Sequence, residues 1–230
     1  IMKKNLVIFY PSLERGGVTK ILINLLKDTV VKDYNLHLIS TEFPFKNYRE
    51  KKNFFFYKVN SVQKFRFLPQ RFLTAFHAMF LLNHVLNKFK KDTLVHSMQS
   101  NIAAIIICMF KRIKIVIRNS ENPIYSTLNA ENKFSAFITF FMKLIFYNFS
   151  NGIITNSKGS AKSLGFFVFD KKKIFSIYNP YLKNINYKKY KKQNIVLNIA
   201  RLRKQKDHIT LLKAFKIFSQ KNKDFKLIIL

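Results

Sequence analysis

Short apolar runs alternate along this chain with longer segments in which apolar residues recur at helical spacing. The apolar runs are typical of strands buried on both faces of a sheet, and they cover residues 5–10, 35–40, 53–59, 93–96, 113–118, 152–155 and 174–178. Helical spacing is found between them, at residues 18–30, 70–89, 101–110, 133–149 and 157–164. This alternation predicts an α/β fold, a Rossmann-like doubly wound parallel sheet.

The same pattern begins again near the end of the sequence. Residues 195–199 form an apolar run of strand type, and residues 207–216 have helical spacing. Before them the chain is polar and rich in lysine, which is typical of an interdomain linker. We therefore predict a first domain at 1–182, a basic linker at 183–194 and the beginning of a second Rossmann-like domain at 195–230.

The charge balance narrows the possible partners and chemistries. Lys and Arg total 42 against 11 Asp and Glu, a net charge of +31, which predicts attraction to nucleic acid, phospholipid or phosphorylated substrates. An AT-rich genome would also produce part of this bias. The acidic residues form no close pair, so a two-carboxylate glycosidase is not indicated. One cysteine, Cys108, excludes an internal disulfide, and no Cys/His spacing suits zinc, so no metal is expected.

Two loops have the composition of phosphate-binding sites. Gly16 and Gly17 follow the first predicted strand and precede a helix, where small residues let backbone amides approach an anion. Arg201 and Lys206, five residues apart, lie between a strand and a helix start, which also favours an anion. A simple tight turn and a solvated basic turn, respectively, explain the same residues without a ligand.

Several segments, in this order, resemble retaining GT-B glycosyltransferases of family 4. They are the Gly16-Gly17 loop, the helix start around Ser157, the Asn179-Pro180 pair and the Arg201…Lys206 turn. The resemblance implies an acceptor-binding GT-B N-terminal domain at 1–182 and the start of a nucleotide-sugar-binding domain at 195–230. It also implies that Arg201, Lys206, Gly16 and Gly17 contact the donor diphosphate.

The resemblance also suggests residues near the transferred sugar. His96 matches the first His of an acceptor loop in the family, in a loop taken as 96–101. Many relatives place a His that contacts the transferred sugar in the loop at 118–123, which has none here, so Glu121 or Asn119 becomes the candidate. A structural His96, a loop-capping Asn119 and an N-capping Ser157 are the alternatives without a catalytic role.

The implied function is transfer of a sugar, with retention, from a nucleotide-diphosphate sugar such as a UDP-sugar. The acceptor would be a lipid-linked or cell-envelope saccharide, as in lipopolysaccharide, capsule or glycan biosynthesis. No cofactor beyond the nucleotide sugar is implied. The family's downstream glutamates are absent by Leu230, so we expect the 230 residues to be a fragment without turnover. A non-catalytic basic protein that binds anionic lipid or nucleic acid is the alternative, although no nucleic-acid motif is present.

Two aromatic segments raise the question of a membrane. Residues 134–149 are apolar but only 16 residues long and contain Lys143, which favours a buried core helix over a spanning one. Residues 64–91 mix aromatic and cationic residues, which suits an anionic bilayer surface or an ordinary amphipathic helix. The N-terminus lacks the pattern of a signal peptide. We expect a cytoplasmic protein, peripheral at the inner face of the cell membrane.

Overall fold

The structure is a computed structural model that describes residues 4–13, 16–27, 33–44, 53–60, 70–89, 92–130, 132–180, 192–202 and 206–230. These residues form two compact units, 1–183 and 184–230. The strands of the first unit are β1 (Lys4–Phe9), β2 (Tyr34–Ser40), β3 (Phe54–Lys58), β4 (Thr93–Ser97), β5 (Lys114–Asn119), β6 (Gly152–Thr155) and β7 (Ile174–Ser176). Its helices are α1 (Gly17–Lys27), α2 (Gln70–Lys88), α3 (Asn101–Lys111), α4 (Pro123–Leu128), α5 (Lys133–Phe146) and α6 (Lys158–Leu164).

The seven strands form one parallel sheet in the order β3-β2-β1-β4-β5-β6-β7. The order runs outward from β1 in both directions, so the sheet is doubly wound and its topological switch point lies between β1 and β4. Helices connect β4 to β5 and β5 to β6, as the alternation of apolar runs and helical segments requires for parallel strands. The predicted Rossmann-like fold class is confirmed.

Alternate residues of the strands supply two hydrophobic cores, one on each face of the sheet. Val7 and Val95 face a core completed by α2 and α3, whereas Ile8 and Leu38 face a core completed by α1. These four side chains are all buried. Burial on both faces explains why the strands are nearly continuous apolar runs in the sequence.

One helix prediction is wrong. The apolar stretch at 134–149 was expected to be a buried core helix, but no residue of α5 is buried. The helix contacts α3 and α4 along one side only, and six of its large apolar side chains are exposed. A helix that is hydrophobic all round is buried when other elements pack against every side of it. Here the described residues cover only one side of α5. Among the described helices, none is both long enough and apolar enough to cross a membrane.

The second unit contains β8 (Ile195–Asn198), α7 (His208–Lys221) and β9 (Lys226–Ile229). The two strands pair in parallel, with Val196 opposite Leu227, so the unit is a single β-α-β crossover. Asp207 caps α7, since its side chain accepts a hydrogen bond of 3.3 Å from the Thr210 amide. This unit has the strand–turn–helix order that the sequence predicts. The domain boundaries and the role given to the linker stay predictions.

Candidate functional site

The crevice at the topological switch point is the place where a doubly wound sheet ordinarily binds ligands, because neighbouring loops diverge there. In the first unit this crevice opens between the carboxyl ends of β1 and β4. The loop after β1 and the turn after β4 are joined by a hydrogen bond of 2.8 Å from the Ser12 amide to Gln99 Oε1. A second bond, of 3.1 Å, runs from the Leu13 amide to Thr41 Oγ1 at the end of β2. These contacts fix the backbone that leads to the glycine pair.

Gly16 and Gly17 lie where the sequence places them, at the start of α1. Both residues are exposed, and the Gly16 carbonyl accepts a bond from the Lys20 amide in the first helical turn. No glycine among the described residues has a positive φ. Gly16 and Gly17 would therefore contribute to an anion site through the absence of a side chain rather than through backbone freedom. The amides of the first turn have no intrahelical partner and form a partially positive helix end. Glu14 and Arg15 of this loop lie outside the described residues.

The predicted loop 96–101 begins too early, because His96, also given as the end of the predicted strand 93–96, belongs to the strand. His96 lies within β4, with Ile8 of β1 and Val116 of β5 as its register neighbours. The strand continues for one residue beyond His96, to Ser97, before the chain turns. Burial lowers the pKa of His96 to about 4, with a further contribution from the positive charge of Arg118. The ring is therefore neutral at pH 7, and its low pKa makes it a weak base.

Glu121 lies in the turn after β5 and its carboxylate is directed to α5. Glu121 Oε1 is 2.5 Å from Lys143 Nζ, with 53% of the glutamate side chain exposed and 12% of the lysine. The Glu121 carbonyl accepts hydrogen bonds from the Ser160 hydroxyl, at 2.8 Å, and from the Asn119 side-chain amide. Asn119, the last residue of β5, thus acts as the cap of this turn. Freeing the Glu121 carboxylate for substrate would require breaking its ion pair.

A buried polar network holds the ends of β4 and β5 together behind the crevice. The Ser97 hydroxyl donates to Asn101 Oδ1 at 2.8 Å, and Asn101 Nδ2 donates to the Arg118 carbonyl at 2.9 Å and to Tyr147 Oη at 3.3 Å. Burial is the main cause that raises the pKa of Tyr147, so the phenol stays protonated. Satisfied buried networks of this kind make a site rigid.

Sequence reasoning missed Arg118 as a site residue. It is buried at the carboxyl end of β5, on the same face as His96, and its guanidinium donates to Asn179 Oδ1. The Asn179-Pro180 pair was noted as a motif, and the Pro180 carbonyl accepts a bond of 2.9 Å from Asn24 of α1. The sequence signal that could have identified Arg118 is an arginine inside an apolar strand. Such a cation is buried, and a buried cation requires specific partners.

The predicted diphosphate residues of the second unit lie after β8 and before α7. Arg201 comes just after β8, where the Ala200 amide donates to the Leu230 carbonyl at 3.0 Å and so ties the strand end to β9. Lys206 directly precedes Asp207, the cap of α7, and both cations are exposed. Residues 203–205 between them lie outside the described residues. A strand end followed by one cation, and a second cation before a helix start, are the parts of which anion sites are built.

Metal ligands do not cluster in the part of the chain that the structure describes. There, no three His, Cys, Asp or Glu side chains come close enough to hold an ion. The described residues of the first unit offer helix amides and neutral polar side chains, and those of the second unit offer exposed cations.

Comparisons with known proteins agree with this reading of the fold. Residues 15–181 match the family described as Glycosyltransferase Family 4, while no curated protein matches the chain significantly. The structure of HepE of Anabaena in complex with UDP-glucose is similar, with a TM-score of 0.63 and 14% identity over 98% of this chain and 60% of HepE. A putative UDP-N-acetylglucosamine 2-epimerase of Listeria monocytogenes has a TM-score of 0.58 and 11% identity, over 100% of this chain and 62% of its own.

A third similar structure is the apo form of the lipopolysaccharide outer core galactosyltransferase WaaB. Its TM-score is 0.57 with 12% identity, over 99% of this chain and 68% of WaaB. At these identities the structures show a common fold and no more. The chain spans roughly 60% of the length of the first two structures, 62% of the epimerase and 60% of HepE.

Proposed function

Because the chain belongs to glycosyltransferase family 4, we propose that it serves the transfer of a hexose from a nucleotide-diphosphate sugar to a saccharide acceptor. The observation that carries this proposal is the family match over 15–181, followed by a β-α-β unit with cations at its strand end. We further propose that the donor is a UDP-sugar, since HepE was solved with UDP-glucose and WaaB is named as a galactosyltransferase. Neither name decides which sugar is used here.

The cations of the second unit are proposed to carry the electrostatic part of the reaction. When the glycosidic bond to the nucleotide breaks, negative charge develops on the leaving diphosphate. Arg201 and Lys206, which lie between β8 and α7 in the chain, would neutralise that charge, and preorganised electrostatics contribute most where charge develops. In this proposal the cations take the place of a metal ion, and no other cofactor takes part.

The first unit is proposed to contact the donor and the acceptor at the crevice. Gly16 and Gly17 would offer amides of the α1 start to the diphosphate, whereas His96 and Glu121 would contact the sugar or the acceptor hydroxyl. The neutral His96 ring suits a hydrogen bond better than proton removal. Deprotonation of the acceptor by the leaving phosphate, with retention at the anomeric carbon, fits the shortage of carboxylates that could act as a general base.

We place the reaction at the inner face of the cell membrane. The net charge of +31 favours an anionic surface, and a lipid-linked or cell-envelope saccharide, such as a lipopolysaccharide or capsule precursor, would be presented there. The activity is assigned to a longer chain that includes the remaining donor-binding part, because this chain spans only part of its structural relatives.

The proposed nucleotide-sugar donor is tested by measuring the binding of UDP and UDP-glucose to residues 1–230 with ligand-observed NMR at low salt. We expect weak binding that Arg201→Ala and Lys206→Ala each reduce about tenfold, the effect of losing one charge-assisted contact. Lys213→Ala, an exposed cation on the side of α7, serves as the matched control and should bind like the parent. Equal loss in all three variants would mean that charge alone attracts the nucleotide, and the assigned site would be abandoned.

A further inference from the structure

The outward side of α5 is an apolar surface that the proposed chemistry does not use. Large apolar side chains recur on it at the spacing of one helix face, and all are exposed: Phe134, Phe137, Ile138, Phe141, Met142 and Ile145. We call these six residues the α5 face. The charged residue within this stretch, Lys143, is turned inward to Glu121. An exposed apolar patch without charges marks a binding surface.

The opposite side of α5 is occupied by the protein itself. The helix contacts α3 and α4, and Phe140 packs edge-on against Phe167, with ring centroids 5.6 Å apart. Phe146 packs against the main core. The orientation of the helix is therefore fixed, and the α5 face cannot turn inward without breaking these contacts.

One cation begins α5, others follow the helix that packs against it, and acidic groups are scarce in the surrounding sequence. Exposed Lys133 begins the helix, and exposed Arg112 and Lys114 follow the end of α3, which packs against it. In the sequence between residues 93 and 169 the carboxylates are Glu121 and Glu131 alone, and Glu121 is paired with Lys143. An apolar surface on a strongly cationic protein matches an anionic lipid surface in both respects, since the apolar part enters the acyl region and the cations meet the headgroups.

We propose that the α5 face docks on an anionic bilayer, with α5 lying in the plane of the headgroups. This rests on the proposed role at a membrane and specifies the surface that performs it. A second copy of the chain is the less suitable occupant, because two molecules of charge +31 repel each other. Since α4 and α5 follow the carboxyl end of β5, the docked helix holds the crevice edge of the sheet near the lipid.

The chain provides a matched control on another helix. Phe137 and Phe141 of α5 are 62% and 53% exposed, and Phe76 and Phe80 of α2 are 60% exposed each, with the same spacing of four residues. The α2 pair lies in the 64–91 segment, whose aromatic and cationic residues suggested a membrane surface from sequence alone. Exchange of each pair to serine therefore compares two surfaces of equal composition and exposure.

The experiment is sedimentation with vesicles of phosphatidylcholine alone and of phosphatidylcholine mixed equally with phosphatidylglycerol, at low and high salt. We expect the parent chain to sediment with the mixed vesicles at low salt and to be partly released at high salt, because headgroup attraction is screened while apolar insertion is not. The double variant Phe137→Ser/Phe141→Ser should bind at least about tenfold more weakly. Phe76→Ser/Phe80→Ser should bind like the parent, and Phe137→Leu/Phe141→Leu should retain most binding.

Each contrary outcome has its own meaning. Parental binding by the α5 serine variant, or loss confined to the α2 variant, overturns the proposal, as does equal binding to both kinds of vesicle. A parent that is dimeric in sedimentation velocity, and that the α5 serine exchange makes monomeric, assigns the face to a second copy instead. Circular dichroism checks that the variants are folded. UDP binding, measured separately, should be unchanged in the α5 variants, so a failure of the donor assignment is distinguishable from a failure of docking.

Discussion

Lowering the pH should destabilise the first unit through His37, a buried imidazole in β2. The side chain is 0% exposed and its ring stacks on Phe55 with centroids 4.9 Å apart. Nδ1 lies 3.2 Å from Tyr57 Oη and Nε2 lies 3.4 Å from Asn5 Oδ1. Burial lowers the pKa of His37 to about 4 from its ordinary value of 6.5, because the aromatic surroundings disfavour the charged ring.

The sign of the effect follows from proton binding. Between pH 6.5 and pH 4 the unfolded chain binds a proton at His37 and the folded chain does not, so acid favours unfolding. The contribution of His37 is complete above pH 6.5 and is lost as the pH falls toward 4. The free energy of unfolding should fall by about 1.4 kcal/mol per pH unit, or about 3 kcal/mol in all. A loss of this size is a large fraction of the 5–15 kcal/mol typical of a domain.

The assay is urea unfolding at several pH values between about 4 and 7.5 for the parent and for His37→Phe. The phenylalanine suits the aromatic stack, and the Asn5 oxygen keeps a hydrogen bond of 3.3 Å from Asn35 Nδ2. The difference in unfolding free energy between the two proteins should therefore change with pH by about 1.4 kcal/mol per unit in this window. His96, whose pKa is also lowered, contributes equally to the pH dependence of both proteins, so its contribution cancels in the difference between them. Parallel pH profiles for the two proteins, or an NMR titration of His37 at or above 6.5, would refute the reasoning.

Three further predictions concern other parts of the chain. Ser157→Ala should lower the unfolding free energy by about 1 kcal/mol in thermal melts, because its side chain accepts the Ser160 amide at the start of α6; an unchanged melt would contradict this cap. Cys108 is buried with its pKa raised to about 12, so it should react with a disulfide reagent only after urea unfolding, and prompt reaction of the folded chain would disprove its burial. In a chain completed with a full donor-binding domain, the proposed function predicts that Arg201→Ala lowers initial transfer rates by about 10²–10³-fold while Lys213→Ala costs little. The reverse order would remove Arg201 from the site.

The sequence determined most of the sheet because its signals are local. The strands are apolar runs bounded by polar turns, and their predicted bounds agree with β1 to β8 to within two residues, the largest difference being that β7 ends at Ser176 rather than at residue 178. Ser157 was recognisable as a possible cap since N-capping involves residues two or three apart. The short helix α4 was not predicted, because six residues show too little periodicity.

The tertiary structure decided which surfaces are covered and which polar groups meet. α5 has the composition of a core helix, but only its packing on α3 and α4 shows that one side is left exposed. The pairing of Glu121 with Lys143 joins residues 22 apart, and that of Arg118 with Asn179 joins residues 61 apart. Contacts at such separations depend on strand order, which local patterns do not encode. The sequence by itself thus determined the strands, the family and the candidate residues, whereas only the folded chain decided their partners, charge states and exposure.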